Sequence, residues 1–209
     1  VTGLTQVGGL IGSFGFGEIV GSSASGNVSG TISVGGLVGV LGNATLTTSG
    51  ASGSVTSSGG DKAGGLVGRM SAGNSLRCEI SQSFATGPVR HLEDESAYHH
   101  QFFGGFVGQI YSSNGGTNHV DDSFATGATT GDNFVGGLVG GVQGVATIRR
   151  SFSTGLVTSR PELCCGNHAV GGLAGGTHLA GSSLFQNGAF WDTATSGQED
   201  SATGRGLAT

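Results

Sequence analysis

The hexapeptide Val-Gly-Gly-Leu-Val-Gly at residues 34–39 returns along the chain in close variants, and no other feature limits the fold as much. The first glycine of each Gly-Gly pair falls at Gly8, Gly35, Gly64, Gly104, Gly136 and Gly171, giving intervals of 27, 29, 40, 32 and 35 residues. A second phrase alternates with it: Ala-Ser-Gly from Ala24 and Ala51, Phe-Ala-Thr-Gly from Phe84 and Phe124, and Phe-Ser-Thr-Gly from Phe152. Self-similarity at such a period marks a solenoid, a propeller or an array. The shortest interval holds about three short strands with turns, which suits one solenoid coil better than a propeller blade of roughly 40–45 residues. The expected fold is therefore all-β: a single β-solenoid (β-helix) domain over 1–209, of about six coils. A β-propeller-like array is the structural alternative. Coils stacked about 4.8 Å apart would form a rod roughly 29 Å long.

Composition agrees with short strands joined by tight turns. Glycine numbers 45 and proline 2, and only 10% of residues are charged. So much glycine would fit a low-complexity chain, but 11 Phe residues at recurring places have no use in one. The net charge of −5, with no basic run, argues against a nucleic-acid surface. No apolar run approaches the 18 or so residues of a membrane span. Abundant Ser and Thr, with sequons at Asn27 and Asn43, point to an extracellular or cell-surface protein.

Equivalent residues of stacked coils form columns. Leu10, Leu37, Leu66, Phe106, Leu138 and Leu173 make one apolar column, and Phe84, Phe124 and Phe152 another; both are read as core. The residues after the Leu column are Ile11, Val38, Val67, Val107, Val139 and Ala174. They either face outward, as a stripe for lateral packing, or are buried at a corner. The phrase glycines are read as corner residues, permitting positive φ and close backbone approach. They make a poor phosphate loop, because no Lys-Ser/Thr follows them.

The alternation of VGGLVG with SFATGxV resembles the GLUG-motif repeats of large bacterial surface and adhesin-like proteins. Ala189 to Gln198, AFWDTATSGQ, is similar to the segment that often closes such arrays. The resemblance spans nearly the whole chain apart from the insertions. It implies a β-solenoid stalk or adhesive region outside the cell, without catalysis by this segment.

Two insertions, at 88–103 and 156–169, follow the second phrase and should leave the rod from one edge. They carry His91, His99, His100, Cys164, Cys165 and His168, residue types that bind a divalent transition metal, though without the usual ligand spacing. The alternative is a solvated polar loop covering the flank. Cys78 is a disulfide candidate with Cys164 or Cys165 if a loop folds back. Asp61, Asp121, Asp122 and Asp132 could hold calcium or simply form turns. Thr86, Thr126 and Thr154 recur in register, with Ser25 and Ser52 before them, short of the repeated Thr-x-Thr of an ice-binding face.

No pair of carboxylates or other catalytic set stands out, so no enzyme, catalytic residue or cofactor is assigned. Val1-Thr2-Gly3 aligns with Val28-Ser29-Gly30, SATG recurs at Ser201, and no capping helix is evident. The expected function is then an extracellular structural protein whose partner is itself, stacking head to tail as a filament or stalk subunit. The alternative is an adhesin module that binds a surface ligand through the insertions. A solenoid enzyme and an ice-binding protein are further readings.

Overall fold

A computed structural model describes residues 1–59, 61–92, 101–160 and 168–208. The chain winds through six coils. The first holds β1 (Thr5–Gly8), β2 (Ile11–Val20), β3 (Ser23–Ala24) and β4 (Val28–Gly30); the second holds β5 (Ile32–Gly35), β6 (Val38–Thr47), β7 (Gly50–Ala51) and β8 (Val55–Ser57). Each of the next three coils has five strands, because the long second strand is divided. These are β9 (Lys62–Gly64), β10 (Val67–Ala72), β11 (Arg77–Ser81), β12 (Phe84–Ala85) and β13 (Val89–His91). Then come β14 (Phe102–Gly104), β15 (Val107–Ser112), β16 (Thr117–Asp121), β17 (Phe124–Ala125) and β18 (Thr129–Gly131). The fifth coil has β19 (Phe134–Gly136), β20 (Val139–Gln143), β21 (Val145–Arg149), β22 (Phe152–Ser153) and β23 (Val157–Ser159). The last has β24 (Ala169–Gly171), β25 (Ala174–Thr177), β26 (Ser183–Asn187), β27 (Phe190–Asp192), the one-turn helix α1 (Thr193–Ser196) and β28 (Arg205–Leu207). Four or five strands per coil, rather than about three, follow from walls as short as two residues.

Strands of successive coils pair in parallel into four walls. The first runs from β1 to β24, the second contains β2 and β6 with the divided strands, the third runs from β3 to β28, and the fourth from β4 to β23. The second wall bends through left-handed residues in the early coils, Phe16 with Gly17 in the first and Asn43 in the second. Coils three and four replace them with turns containing Asn74 and Ser75, or Asn114 and Gly115, and the fifth uses Gly144. This is why a continuous β6 pairs with both β10 and β11.

The walls enclose two cores. Val34, Ala63, Phe103 and Val135 of the first wall meet Val28, Val55, Val89 and Val157 of the fourth. The larger core lies between the second and third walls, with Leu37, Val38, Leu41, Leu46, Met70, Ile80, Ile110 and Ile148 against Ala51, Ala85 and Ala125. The recurring hexapeptide is the hinge between them. Val34 enters the small core, and Leu37 and Val38 enter the large one. The glycines keep ordinary φ; close approach requires them. A Cβ on Gly35 would stand 2.0 Å from the Val38 carbonyl oxygen, one on Gly36 2.1 Å from that of Gly65, and one on Gly39 2.4 Å from that of Gly12. The inter-coil ladder runs through this corner, where Leu37 and Val38 N–H both donate to the Leu66 carbonyl (3.0 and 3.1 Å). The column after the Leu ladder is buried from Val38 to Ala174, so it offers no stripe for lateral packing.

A second corner, between the second and third walls, is turned by a left-handed residue in every coil: Gly21, Thr48, Gln82, Asp122, Arg150 and Gly188. Behind it lies a column of buried serines, Ser49, Ser83, Ser123 and Ser151. The N–H of Ser22, Ser49, Ser83 and Ser123 each donates to the serine Oγ of the next coil at 3.1–3.2 Å. Each Oγ donates in turn to the carbonyl two residues back, at 2.7 Å.

The Phe column is not core. Phe84, Phe124, Phe152 and Phe190 stack on the outside of the third wall, with centroids 5.7, 5.2 and 5.3 Å apart. Phe84 is 37% exposed. Each two-residue strand turns one side chain in and one out. The inner place faces the Leu and Ile of the second wall and has room only for Ala51, Ala85, Ala125 or Ser153. Leu10 departs from its buried column as well, at 50% exposure, because the described structure has no coil beyond the first to cover it.

After β27 the chain folds back over the sixth coil. Trp191 enters the large core in register with Ser153, facing Gly172, where a Cβ would stand 2.0 Å from the ring. Asp192 caps α1, accepting from Ala194 N–H at 2.9 Å, and Gly197 ends the helix with φ 67°. Gln198 donates to the Val157 carbonyl (3.0 Å), covering the last strand of the fourth wall. Ser201 Oγ accepts from Ala174 N–H (2.8 Å), and β28 pairs with β27. Asp200 and Ser201 thus take the places of the next coil's corner, the Asp200 carbonyl accepting from Gly172 N–H and Ser201 Oγ from Leu173 and Ala174 N–H, so SATG stands at the Gly-Gly corner and not at the second phrase it resembles.

Candidate functional site

Both insertions leave from the passage between the fourth and first walls, since β13, β18 and β23 are successive strands of the fourth wall. The expected common edge is therefore present at the insertion roots. Residues 93–100 and 161–167, with His99, His100, Cys164 and Cys165, lie outside the described residues.

The roots are joined by a buried polar network. His91 ends β13, Asp132 follows β18 one coil on, and Arg160 follows β23 one coil further. Their side chains are 2%, 3% and 16% exposed. His91 Nδ1 hydrogen-bonds Asp132 Oδ2 at 2.6 Å and also stands 3.1 Å from Arg160 Nη2. Arg160 donates to Asp132 Oδ1 at 3.0 Å and to the His91 carbonyl at 3.3 Å. Ser159 donates to the Asp132 carbonyl (3.0 Å) and hydrogen-bonds His168, which is otherwise exposed. The His91 ring lies on Phe103, centroid to centroid 5.4 Å. Breaking one partner of such a buried pair costs about 3–5 kcal/mol, because the remaining charge stays buried.

The other expected ligands are placed elsewhere. Among the described residues no group of three or more His, Cys, Asp or Glu is arranged to hold a metal. The four turn aspartates face cations of the chain. Asp61 pairs with Lys62, Asp121 with Arg149 (2.9 and 2.9 Å), Asp122 with Arg150 (2.6 and 2.8 Å), and Asp132 with Arg160. Hydrogen bonding to Arg150 holds the Asp122 carboxyl below its ordinary range. Cys78 is a free thiol, wholly enclosed on the inner side of the second wall, where burial raises its pKa. Its 3.7 Å contact is with the Leu41 carbonyl inside the large core. A disulfide to either insertion cysteine would have to pass through the wall.

No family model matches the chain, and neither does any curated protein or solved structure. The fold itself defines the class: a parallel β-solenoid of two cores, with a locked polar edge from which two insertions depart. Among the described residues no helix is long and apolar enough to cross a membrane.

Proposed function

We propose that this chain is a non-catalytic display module of an extracellular or cell-surface protein of the GLUG-repeat, adhesin-like kind. It holds two insertions at one edge of a rigid rod, where they bind a surface ligand. The observation that carries this reading is the His91–Asp132–Arg160 network, which ties the insertion roots together across three coils. Loops on a rigid scaffold are where binding residues concentrate, and a buried, paired root fixes the direction of such a loop. The test is a chain with 93–100 replaced by a short Gly-Ser linker. It should keep the parent's circular dichroism and unfolding midpoint while losing saturable binding to cell surfaces or glycan arrays. Undiminished binding would exclude the insertion edge.

Self-association as a filament or stalk subunit is the second reading. Among the described residues the outer edge of β2 has no strand beside it, and Leu4, Leu10, Phe16 and Val20 are 50–77% exposed there. Strand edges of this kind recruit further strands. Beyond the sixth coil β28 pairs with β27, while β24, β25 and β26 have no further strand beside them among the described residues, so those stretches are what a joining coil would pair with. Sedimentation and electron microscopy of the purified chain separate the two readings: monodisperse particles at high concentration exclude self-association.

A further inference from the structure

The aromatic column outside the third wall has two ends, and they differ. Phe84, Phe124, Phe152 and Phe190 stack nearly in parallel, with interplanar angles of 16°, 7° and 8°, so each ring covers its neighbour's face and turns an edge outward. At one end Phe84 lies over Gly50, where a Cβ would stand 2.3 Å from Cζ of the ring, so backbone closes that face. At the other end the residue in register with Phe190 is Arg205 of β28, not another ring. A pocket of about 300 Å³ opens there, lined by Phe190 and Arg205 with Gln186, Ala189 and Leu207. The column therefore ends at the wall of a pocket and not against packed protein.

The polar groups of this pocket are donors. Arg205 is exposed, and among the described residues no carboxylate pairs with it. Arg150, the cation at the same corner one coil earlier, is held by Asp122 at 2.6 and 2.8 Å. Gln186 Oε1 accepts from the Ala189 N–H (3.5 Å), which leaves the amide N–H groups of Gln186 to donate. We infer that the pocket binds a planar aromatic carboxylate, its ring continuing the phenylalanine stack against Phe190 and its carboxylate paired with the Arg205 guanidinium. A guanidinium stays charged across the physiological range and meets a carboxylate through two parallel N–H donors. Offset stacking on Phe190 favours a flat ring over a saturated one of the same size. A volume of about 300 Å³ is the lower end for small-molecule sites, with room for roughly one or two fused rings. The inference does not rest on the display reading: this pocket stands at the corner between the second and third walls, and the insertion roots between the fourth and first.

The experiment is titration of the full chain with benzoate and 2-naphthoate, followed by backbone amide ¹H–¹⁵N shifts. Saturable shifts centred on residues 186–190 and 205–207 are expected, with a dissociation constant on the order of 1 mM or tighter. Cyclohexanecarboxylate keeps the charge without the flat ring, and benzamide keeps the ring without the charge. Each should bind about 10-fold more weakly than benzoate. R205Q should weaken benzoate about 10-fold and leave benzamide unchanged, while F190L weakens both. The probe series on the wild type makes the test independent of whether either variant folds. Four results would overturn the inference: no saturable shift in the wild type, shifts centred elsewhere, cyclohexanecarboxylate binding as tightly as benzoate, or a folded R205Q that binds benzoate as the parent does.

Discussion

Replacing Ser123 by alanine tests whether the buried serine column supports the solenoid corner. Ser123 is 1% exposed, and its Oγ accepts the Ser83 N–H at 3.2 Å while donating to the Asp121 carbonyl at 2.7 Å. The Asp121 carbonyl keeps a second donor in the variant, Gln82 N–H at 3.2 Å. Only the Ser83 N–H is then stranded, inside a wall that water does not reach. One stranded buried donor costs about 1–3 kcal/mol, which for a chain this long lowers Tm by roughly 2–4 °C per kcal/mol. S151A strands the Ser123 N–H in the same way, with the Arg149 carbonyl still accepting from Asp122. S49A strands the Ser22 N–H, in a half-buried residue of the first coil that water can solvate, so it should cost less than about 1 kcal/mol.

Urea unfolding of the three variants, with m unchanged, gives the energies. Amide hydrogen exchange gives the location: the Ser83 N–H should exchange faster in S123A, and the Ser123 N–H in S151A. The reasoning fails if S49A costs as much as S123A. It also fails if S123A costs under about 0.5 kcal/mol, because the hydroxyl column would then be incidental to the turn.

Four further outcomes follow from the same geometry. W191A should cost about 3–5 kcal/mol and speed hydrogen exchange over 190–207, while the single tryptophan of the native chain should resist quenching by acrylamide. F124A should cost only about 0.5–1.5 kcal/mol, as the loss of external ring stacking, against about 3–5 kcal/mol for F106A in the large core, both read by urea unfolding. Q82G should stabilise by about 0.5–1 kcal/mol, the relief of a left-handed non-glycine residue less the entropy of glycine. His119 has its pKa lowered, first by burial and then by Arg77. Its folded value lies below the unfolded one, so stability is retained above pH 6.5 and falls as pH drops below it, where only the unfolded imidazole takes up a proton; H119Q should flatten that part of the pH–stability curve.

What the sequence made legible was period. Glycine pairs count coils because three backbones converge at Gly35, Gly36 and Gly39, and no side chain can replace a missing Cβ there without moving a carbonyl. Direction was less legible. In a two-residue strand such as Phe124–Ala125, alternation says only that one side chain turns in, and hydropathy nominates the phenylalanine. The opposing wall decides: Ile110 and Ile148 already fill the large core, leaving space for alanine and sending the ring outside. The serine column was hidden for another reason. Ser83, Ser123 and Ser151 sit in register immediately before the phenylalanines, but in a serine-rich chain their register stands out only once the corner they turn is known. The polar edge shows a third limit. His91, Asp132 and Arg160 lie 41 and 28 residues apart, and only the coil period brings them together. A polar network in a solenoid is therefore spaced by whole coils rather than by motif. Sites of this class are better sought by aligning the residues that follow each copy of the second phrase than by scanning for local ligand spacing.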